Sequence, residues 1–197
     1  LPGEPALPRS SVGTWEGGIN VLDAKRKNFR QVGAGNPNLR SIFNLVKDSE
    51  GNVWASTYGG GVTRFDVRKN TSKTYLNDPT NLNSLSSNIA PVIIVDSEGN
   101  VWVGTQDSGI NLMKANDISK GIFQRYTLVS GDSLSLPSKL INDIFEDSKQ
   151  NIWIATQSGL SKFIKEKNGF KTYSVEHGLA TEQIKSIIED DKGFLWI

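Results

Sequence analysis

Short apolar runs separated by turn residues recur along the chain, and the stretch from 88 to 126 contains one complete unit. The four apolar runs lie at 88–95, 100–105, 110–114 and 123–126. Turns at 96–99 and 106–109 join the first three runs, and a looser connection leads to the fourth. Runs of this length, rich in β-branched residues and bounded by Gly, Asp and Ser, are typical of β-strands joined by tight turns. The unit therefore predicts a four-stranded antiparallel sheet.

The first turn of the unit carries a motif that occurs four times. It reads Asp-Ser-Glu-Gly-Asn-Val-Trp at 48–54 and 96–102, Asp-Ser-Lys-Gln-Asn-Ile-Trp at 147–153, and Asp-Asp-Lys-Gly-Phe-Leu-Trp at 190–196. The tryptophans lie 48, 51 and 43 residues apart. A four-stranded sheet repeated at this spacing is typical of a propeller blade, whose faces are covered by neighbouring blades. A helical solenoid is disfavoured because no repeat contains a helix-length periodic segment.

The predicted fold class is therefore all-β, a β-propeller of four-stranded antiparallel blades. The repeats place half-blades at 12–35 and 179–197, and whole blades at 36–80, 81–130 and 131–178. The Pro-rich segment 1–11 lies outside the repeat and is predicted to be a linker or of non-native origin. Three whole blades plus one split blade are few for a propeller, so we expect a fragment of a larger one. A four-bladed ring closed by the half-blades, and a homodimer paired through open blade edges, are the alternatives.

Composition narrows the range of partners. The 22 Lys and Arg residues nearly balance the 21 Asp and Glu residues, and no basic stripe stands out, so nucleic acid and anionic membrane are not expected to bind. The chain has no Cys, which excludes a disulfide scaffold and a thiolate metal site. No apolar run reaches the length of a membrane span, and no signal peptide is recognisable.

The repeated motif itself is predicted to be structural. We expect four tryptophans to pack between sheets in the core: Trp54, Trp102, Trp153 and Trp196. The aspartates of the motif are explained as turn residues, since Asp accepts local backbone hydrogen bonds. Their spacing lacks the dense series of oxygen ligands found in a calcium loop, so neither a metal nor a cofactor is predicted.

Residues that vary at fixed positions of the repeat are the better candidates for function. In a propeller, the loops between the second and third strands lie on one face, together with the connections between blades. The candidate ligand-binding residues in these loops are Trp15, Glu16, Tyr58, Gln106, Asp107 and Gln157. Aromatic rings beside hydrogen-bonding side chains suit a sugar, which has apolar faces and hydroxyl rims. The alternative is that both rings pack on neighbouring loops.

The motif and the residues after it resemble the two-component-regulator propeller repeat, over about residues 12–197. The resemblance rests on Asp-x-x-Gly-Asn-Val-Trp, the following small residue and Thr, a later Gly before an apolar residue, and linkers such as 75–88 and 173–179. Gln150 departs from it by replacing the turn glycine, and a different turn type is expected there.

The resemblance implies a role. Such repeats form the periplasmic sensor regions of hybrid two-component systems in Bacteroides-type bacteria, which sense oligosaccharides and signal to a histidine kinase. It therefore implies a non-catalytic periplasmic sensor module, attached to the membrane only through other parts of the parent protein. An oligosaccharide is the implied ligand.

Two further functions stay open. Streptogramin-lyase-like propellers share short repeats of this kind, so a lyase or hydrolase is one alternative. Against it, His177 is the single histidine, and no familiar nucleophile or metal motif occurs, so no catalytic residue is predicted. The other alternative is a protein-interaction or dimerisation scaffold without a small ligand.

Overall fold

A computed structural model describes residues 10–14, 17–22, 25, 27–33 and 35–197, and its strands form five antiparallel sheets. Sheet 1 comprises Ser10–Thr14, Gly18–Leu22 and Phe29–Val32. Sheet 2 comprises Ile42–Lys47, Val53–Thr57, Val62–Asp66 and Thr71–Tyr75. Sheet 3 comprises Val92–Val95, Val101–Gly104, Ile110–Met113 and Gln124–Tyr126. Sheet 4 comprises Ile141–Glu146, Ile152–Thr156, Gly159–Ile164 and Gly169–Tyr173, and sheet 5 comprises Ile188–Glu189 and Leu195–Trp196.

Helical structure in the described residues is limited to single 3-10 turns. They span Pro37–Leu39, Ala115–Asp117, Lys165–Lys167 and Val175–His177. Within the part of the chain that the structure describes, no helix is long and apolar enough to cross a membrane.

Each complete sheet pairs its strands in chain order, which gives the predicted four-stranded meander. This architecture confirms the all-β propeller fold. Sheet 1 differs from the expected half-blade because Ser10–Thr14 pairs with Gly18–Leu22 and adds a third strand. Sheet 1 has three strands and sheet 5 has two. Together they hold one strand more than the four expected for a single blade split between the two ends of the chain.

Among the described residues, the hydrophobic core forms four clusters, one between each pair of consecutive sheets. Trp54 of sheet 2 packs with Val103 of sheet 3, and Trp102 of sheet 3 packs with Ile154 of sheet 4. The cluster between sheets 1 and 2 contains Ile19, and the one between sheets 4 and 5 contains Leu160 among others. Burial on both faces of a sheet thus depends on a neighbour on each side.

Small residues two positions after each tryptophan permit this close stacking. A Cβ atom on Gly104 would lie 2.5 Å from side-chain carbons of both Val92 and Ile141. Ser56 and Ala155 hold the same position in sheets 2 and 4 and are fully buried. A larger side chain at Gly104 would therefore clash with the neighbouring sheet.

The expected burial of the four tryptophans holds only for those with a sheet beyond them. Trp54 and Trp102 are buried and Trp153 is half-buried, but Trp196 is 62% exposed. The prediction that Trp196 lies in the core is therefore wrong for this structure. The reason is geometric: a blade tryptophan is covered by the following sheet, and no described sheet follows sheet 5.

Candidate functional site

The repeated Asp and Trp are joined by a hydrogen bond that the sequence analysis did not predict. The Trp54 indole N–H donates to Asp48 Oδ2 at 3.1 Å, and the same bond recurs three times at 2.8–3.0 Å. Asp48 Oδ1 also accepts from the Asn52 backbone N–H at 2.8 Å. Each hairpin is therefore tied to its own tryptophan, which explains the fixed spacing of six residues between them.

Sheet 2 adds a cation to this arrangement. The Arg64 guanidinium donates to Asp48 Oδ2 from both Nε and Nη2, at 3.0 and 2.9 Å, and to Glu50 at 2.6 Å. It also lies over the Trp54 ring, 5.6 Å from its centroid. Burial of Asp48 opposes its ionisation, but hydrogen bonds from Asn52, Arg64 and Trp54 outweigh it and lower the pKa.

Gln150 occupies the turn-glycine position without changing the turn. Its N–H donates to the Asp147 carbonyl at 2.8 Å, as Gly51 and Gly99 do to their aspartates. It reaches this geometry at φ 63°, in the left-handed region that Gly99 also occupies. The expectation of a different turn type is therefore wrong, because Gln150 accepts an unfavourable backbone conformation instead.

The loops between second and third strands are held by a repeated threonine. Thr57 Oγ1 donates to the Gly61 carbonyl at 2.9 Å and accepts from the Gly60 N–H at 3.0 Å. Equivalent Oγ1 bonds to a loop glycine carbonyl occur at Thr14, Thr105 and Thr156. The glycine N–H then binds a carbonyl of the next linker, for example Gly109 to Lys139 at 2.8 Å. Together these loops and linkers form one surface, which we call the loop face.

Three candidate residues occupy equivalent places on consecutive sheets of the loop face. The backbone N–H groups of Tyr58, Gln106 and Gln157 donate to a carbonyl that precedes the first strand of the same sheet. Those acceptors are Ser41, Ile89 and Leu140. The backbone of each candidate is thus fixed, while Tyr58 and Gln106 are exposed and Gln157 is half-buried.

Tyr58 meets an aromatic partner that sequence reasoning missed. Its ring lies edge-on to Phe43 with centroids 5.9 Å apart, and the two residues are 52% and 43% exposed. Phe43 lies at a register irregularity between Ile42 and Asn44 in the first strand of sheet 2. A β-bulge cannot be recognised from strand alternation alone, so no signal in the sequence points to Phe43.

Of the remaining candidate ligand-binding residues, only Asp107 lies within the described part of the chain. Asp107 is exposed and accepts a hydrogen bond from Ser108 Oγ at 2.8 Å. Trp15 and Glu16 lie outside the described residues, so their predicted role stays a prediction. A cleft of about 170 Å³ lies at the start of the second strand of sheet 1 and is lined by Gly18, Gln31 and Arg40 among others.

The described titratable groups do not form a metal-binding cluster. Among the described residues, no group of three or more His, Cys, Asp or Glu side chains is placed to hold a metal ion. His177 lies at the end of a 3-10 turn, where its Nδ1 faces the Ser174 backbone N–H at 3.3 Å.

Comparison with known proteins identifies the repeat. The family model described as "Two component regulator propeller" matches residues 84–107 and 135–158, which span the Asp…Trp hairpins of sheets 3 and 4. Two stretches of the chain therefore match this propeller repeat, which confirms the predicted resemblance. No curated protein matches the chain.

Solved structures share the fold. The chain is similar to the extracellular domain of a hybrid two component system from B. thetaiotaomicron, with a TM-score of 0.74 and 24% identity over 94% of this chain. It is also similar to virginiamycin B lyase from Staphylococcus aureus, with a TM-score of 0.66 and 11% identity over 92% of this chain. The chain spans 24% of the length of the first structure and 56% of the second. At these identities the likeness shows the propeller fold alone.

Proposed function

We propose that the chain is a non-catalytic, extracytoplasmic sensor module of a hybrid two-component signalling protein, and that its loop face binds an oligosaccharide. The propeller repeat is of the two-component-regulator kind, and an extracellular domain of such a system shares the fold. The periplasm is the proposed location and a histidine kinase the proposed partner domain.

The observation that carries the ligand proposal is the aromatic pair of Tyr58 and Phe43. The two rings meet edge to face at an interplanar angle of 73°, and about half of each residue is open to solvent. Such a corner offers apolar surface to the C–H face of a sugar ring. Gln106 follows on the next sheet, where its amide can bind hydroxyl groups.

Calorimetry of the chain against a panel of neutral oligosaccharides tests this proposal. For an oligosaccharide that binds, Tyr58→Ala and Phe43→Ala are each expected to weaken the affinity about tenfold, equivalent to about 1.4 kcal/mol. Phe29→Ala is the matched control, because Phe29 is 61% exposed but lies on the outer strand of sheet 1. Heat from no member of the panel, or equal losses in all three variants, would contradict the proposal.

The lyase or hydrolase alternative makes a different prediction. It requires turnover that is lost in His177→Ala, since His177 is the single histidine of the chain. The structure gives His177 a local role, because its ring caps the 3-10 turn at Ser174. Turnover of glycan or lactone substrates that disappears in His177→Ala would support the enzyme and count against the sensor.

Self-association is a second candidate, favoured by one surface. Sheet 5, its connecting turn and the residue after it expose four large apolar side chains: Ile188, Phe194, Trp196 and Ile197. Exposed apolar surface beside an unpaired strand edge favours pairing with a second copy. Light scattering should then show a homodimer that Trp196→Ser weakens. A monomer at all concentrations would contradict it.

A further inference from the structure

A cleft of about 500 Å³ lies between sheets 3 and 4, at the ends of the strands opposite the loop face. It is lined by Asp96, Asn100 and Trp102 of the repeated hairpin, and Leu112 and Phe163 contribute apolar surface. Phe163 meets the Trp102 ring edge-on with centroids 5.0 Å apart. The volume is within the range of small-molecule sites.

The cleft occurs where one sheet lacks a cation that the neighbouring sheets supply. The third-strand residue opposite each tryptophan is Arg64 in sheet 2, Leu112 in sheet 3 and Lys162 in sheet 4. The Lys162 ammonium lies 5.5 Å from the Trp153 ring centroid, as the Arg64 guanidinium lies over Trp54. Leu112 carries no charge at this position, and its side chain lines the cleft.

The acceptors that hold the guanidinium in sheet 2 are repeated in sheet 3. Asp48 and Glu50 bind Arg64, and Asp96 and Glu98 occupy the same two positions of an identical hairpin sequence. Asp96 Oδ2 accepts from Trp102 at 2.8 Å and Asn100 at 2.9 Å, whereas Asp48 Oδ2 accepts two further bonds from Arg64. Asp96 and Glu98 therefore form a receptor for a planar cation, and sheet 3 itself supplies no arginine to fill it.

A lysine from the 3-10 turn that follows the third strand of sheet 4 occupies part of this receptor. Lys165 Nζ donates to Glu98 Oε1 at 2.5 Å, and this bond lowers the pKa of Glu98. An ammonium lacks the planar fork that lets Arg64 bind two carboxylates together. Other charges line the cleft, namely Lys114, Lys149, Lys162, Glu146 and Glu166. Glu146 is already bound to Ser97, and Lys162 lies over Trp153.

We propose that this cleft binds a guanidinium group, held between Asp96 and Glu98 as Arg64 is held between Asp48 and Glu50. The bound group displaces Lys165 from Glu98 and contacts the apolar wall at Leu112. An arginine side chain of a peptide and a free arginine-like molecule share this chemistry. The inference is independent of the loop face and of the proposed oligosaccharide.

Nuclear magnetic resonance titration of the chain with N-acetyl-arginine amide tests the proposal. The expected result is a saturable shift of the Trp102 indole N–H signal, because the guanidinium shares Asp96 Oδ2 with that group. N-acetyl-citrulline amide has nearly the same shape without the charge and should not produce the shift. Equal effects of the two compounds, or no shift at Trp102, would overturn the proposal. An Arg-containing tripeptide that binds at least tenfold tighter identifies a peptide as the preferred source, whereas equal affinity indicates the free molecule.

Three variants give opposed expectations. Glu98→Gln removes one acceptor on an exposed side chain and should weaken binding at least tenfold. Lys165→Gln removes the internal competitor and should strengthen binding several-fold. Glu50→Gln is the matched control at the equivalent turn, where Arg64 already fills the receptor, and should leave the affinity unchanged. Equal losses in Glu50→Gln and Glu98→Gln, or weaker binding in Lys165→Gln, would overturn the assignment.

Discussion

The hairpins at 48–54 and 190–196 share a local geometry but have opposite surroundings. Trp54 and Trp196 each donate an indole hydrogen bond to their aspartate, at 3.1 and 3.0 Å. Trp54 is fully buried, whereas Trp196 is 62% exposed. The motif therefore folds the hairpin locally, while the burial of its tryptophan comes from the neighbouring sheet.

Replacement of the two tryptophans should separate these contributions most strongly. Trp54→Ala removes a fully buried ring stacked on Tyr75 and should lower the free energy of unfolding by about 3–5 kcal/mol. Trp196→Ala should lower it by less than about 1 kcal/mol, since most of that ring is already in water. Urea unfolding followed by circular dichroism measures both values. Similar losses would mean that Trp196 is covered in solution.

Replacement of the motif aspartate should also lower the free energy of unfolding more at Asp48 than at Asp190. Asp48→Asn weakens the charge-assisted bonds from Arg64 and should lower the free energy of unfolding by about 2 kcal/mol, a value discounted because Arg64 is 25% exposed. Asp190→Asn should have the smaller effect, because Phe194 replaces the asparagine of the motif and supplies only a backbone N–H. A larger effect at Asp190 would reverse the comparison.

The hydrogen bonds to the Asp48 carboxylate should make the stability of the chain depend on pH. The pKa of Asp48 is lowered on folding from 3.8, so its stabilisation is complete well above pH 3.8 and is lost as the pH falls through the lower folded value. Unfolding measured between pH 6 and pH 2 should therefore show a steeper loss below about pH 4 in the natural chain than in Asp48→Asn. Identical slopes would exclude Asp48 as a source.

The turn at 147–151 offers a gain in stability rather than a loss. Gln150→Gly relieves a left-handed backbone at φ 63° and should raise the free energy of unfolding by about 0.5–1 kcal/mol. Gly99→Gln is the mirror variant, since Gly99 has φ 81° and only an ordinary contact near its Cβ position, and it should destabilise by a similar amount. Thermal unfolding of both variants should shift in opposite directions. Shifts of the same sign would contradict this account.

The smallest expected change in stability comes from Ser56, two positions after Trp54. The Ser56 hydroxyl is buried and has no hydrogen-bond partner among the described residues, and Ala155 holds the same position in sheet 4. Ser56→Ala should therefore stabilise the chain by about 0.5 kcal/mol, and Ala155→Ser should destabilise it. Denaturation midpoints of the two variants measure the difference. Destabilisation in Ser56→Ala would point to an unseen partner for the hydroxyl.

The fold could be predicted because it depends on local chemistry repeated many times. Turn residues at fixed intervals define the strands, and the spacing of the tryptophans defines the blade. Burial could not be read in the same way, as Trp196 shows, because it depends on which sheet lies next to it. The constant spacing of six residues was a signal for the indole bond to Asp48, but a spacing alone does not show which side-chain atoms meet.

The candidate sites were harder to predict because they depend on irregularity. Tyr58 was visible as an aromatic residue in a loop, whereas Phe43 depends on a bulge in another strand. The cleft beside Asp96 becomes apparent only when the residue opposite each tryptophan is compared across the sheets. A difference between repeats was therefore more informative about binding than the motif that the repeats share.

In the loop face, the groups that hold the loops in place differ from the side chains that are available to a ligand. Thr57 and Thr105 hold their loops through backbone groups of the glycines, and the next residue contributes its own N–H to the same network. The side chains of Tyr58 and Gln106 are not needed for this backbone network. Selection can therefore exchange these residues to suit a new ligand while the blade beneath them keeps its architecture.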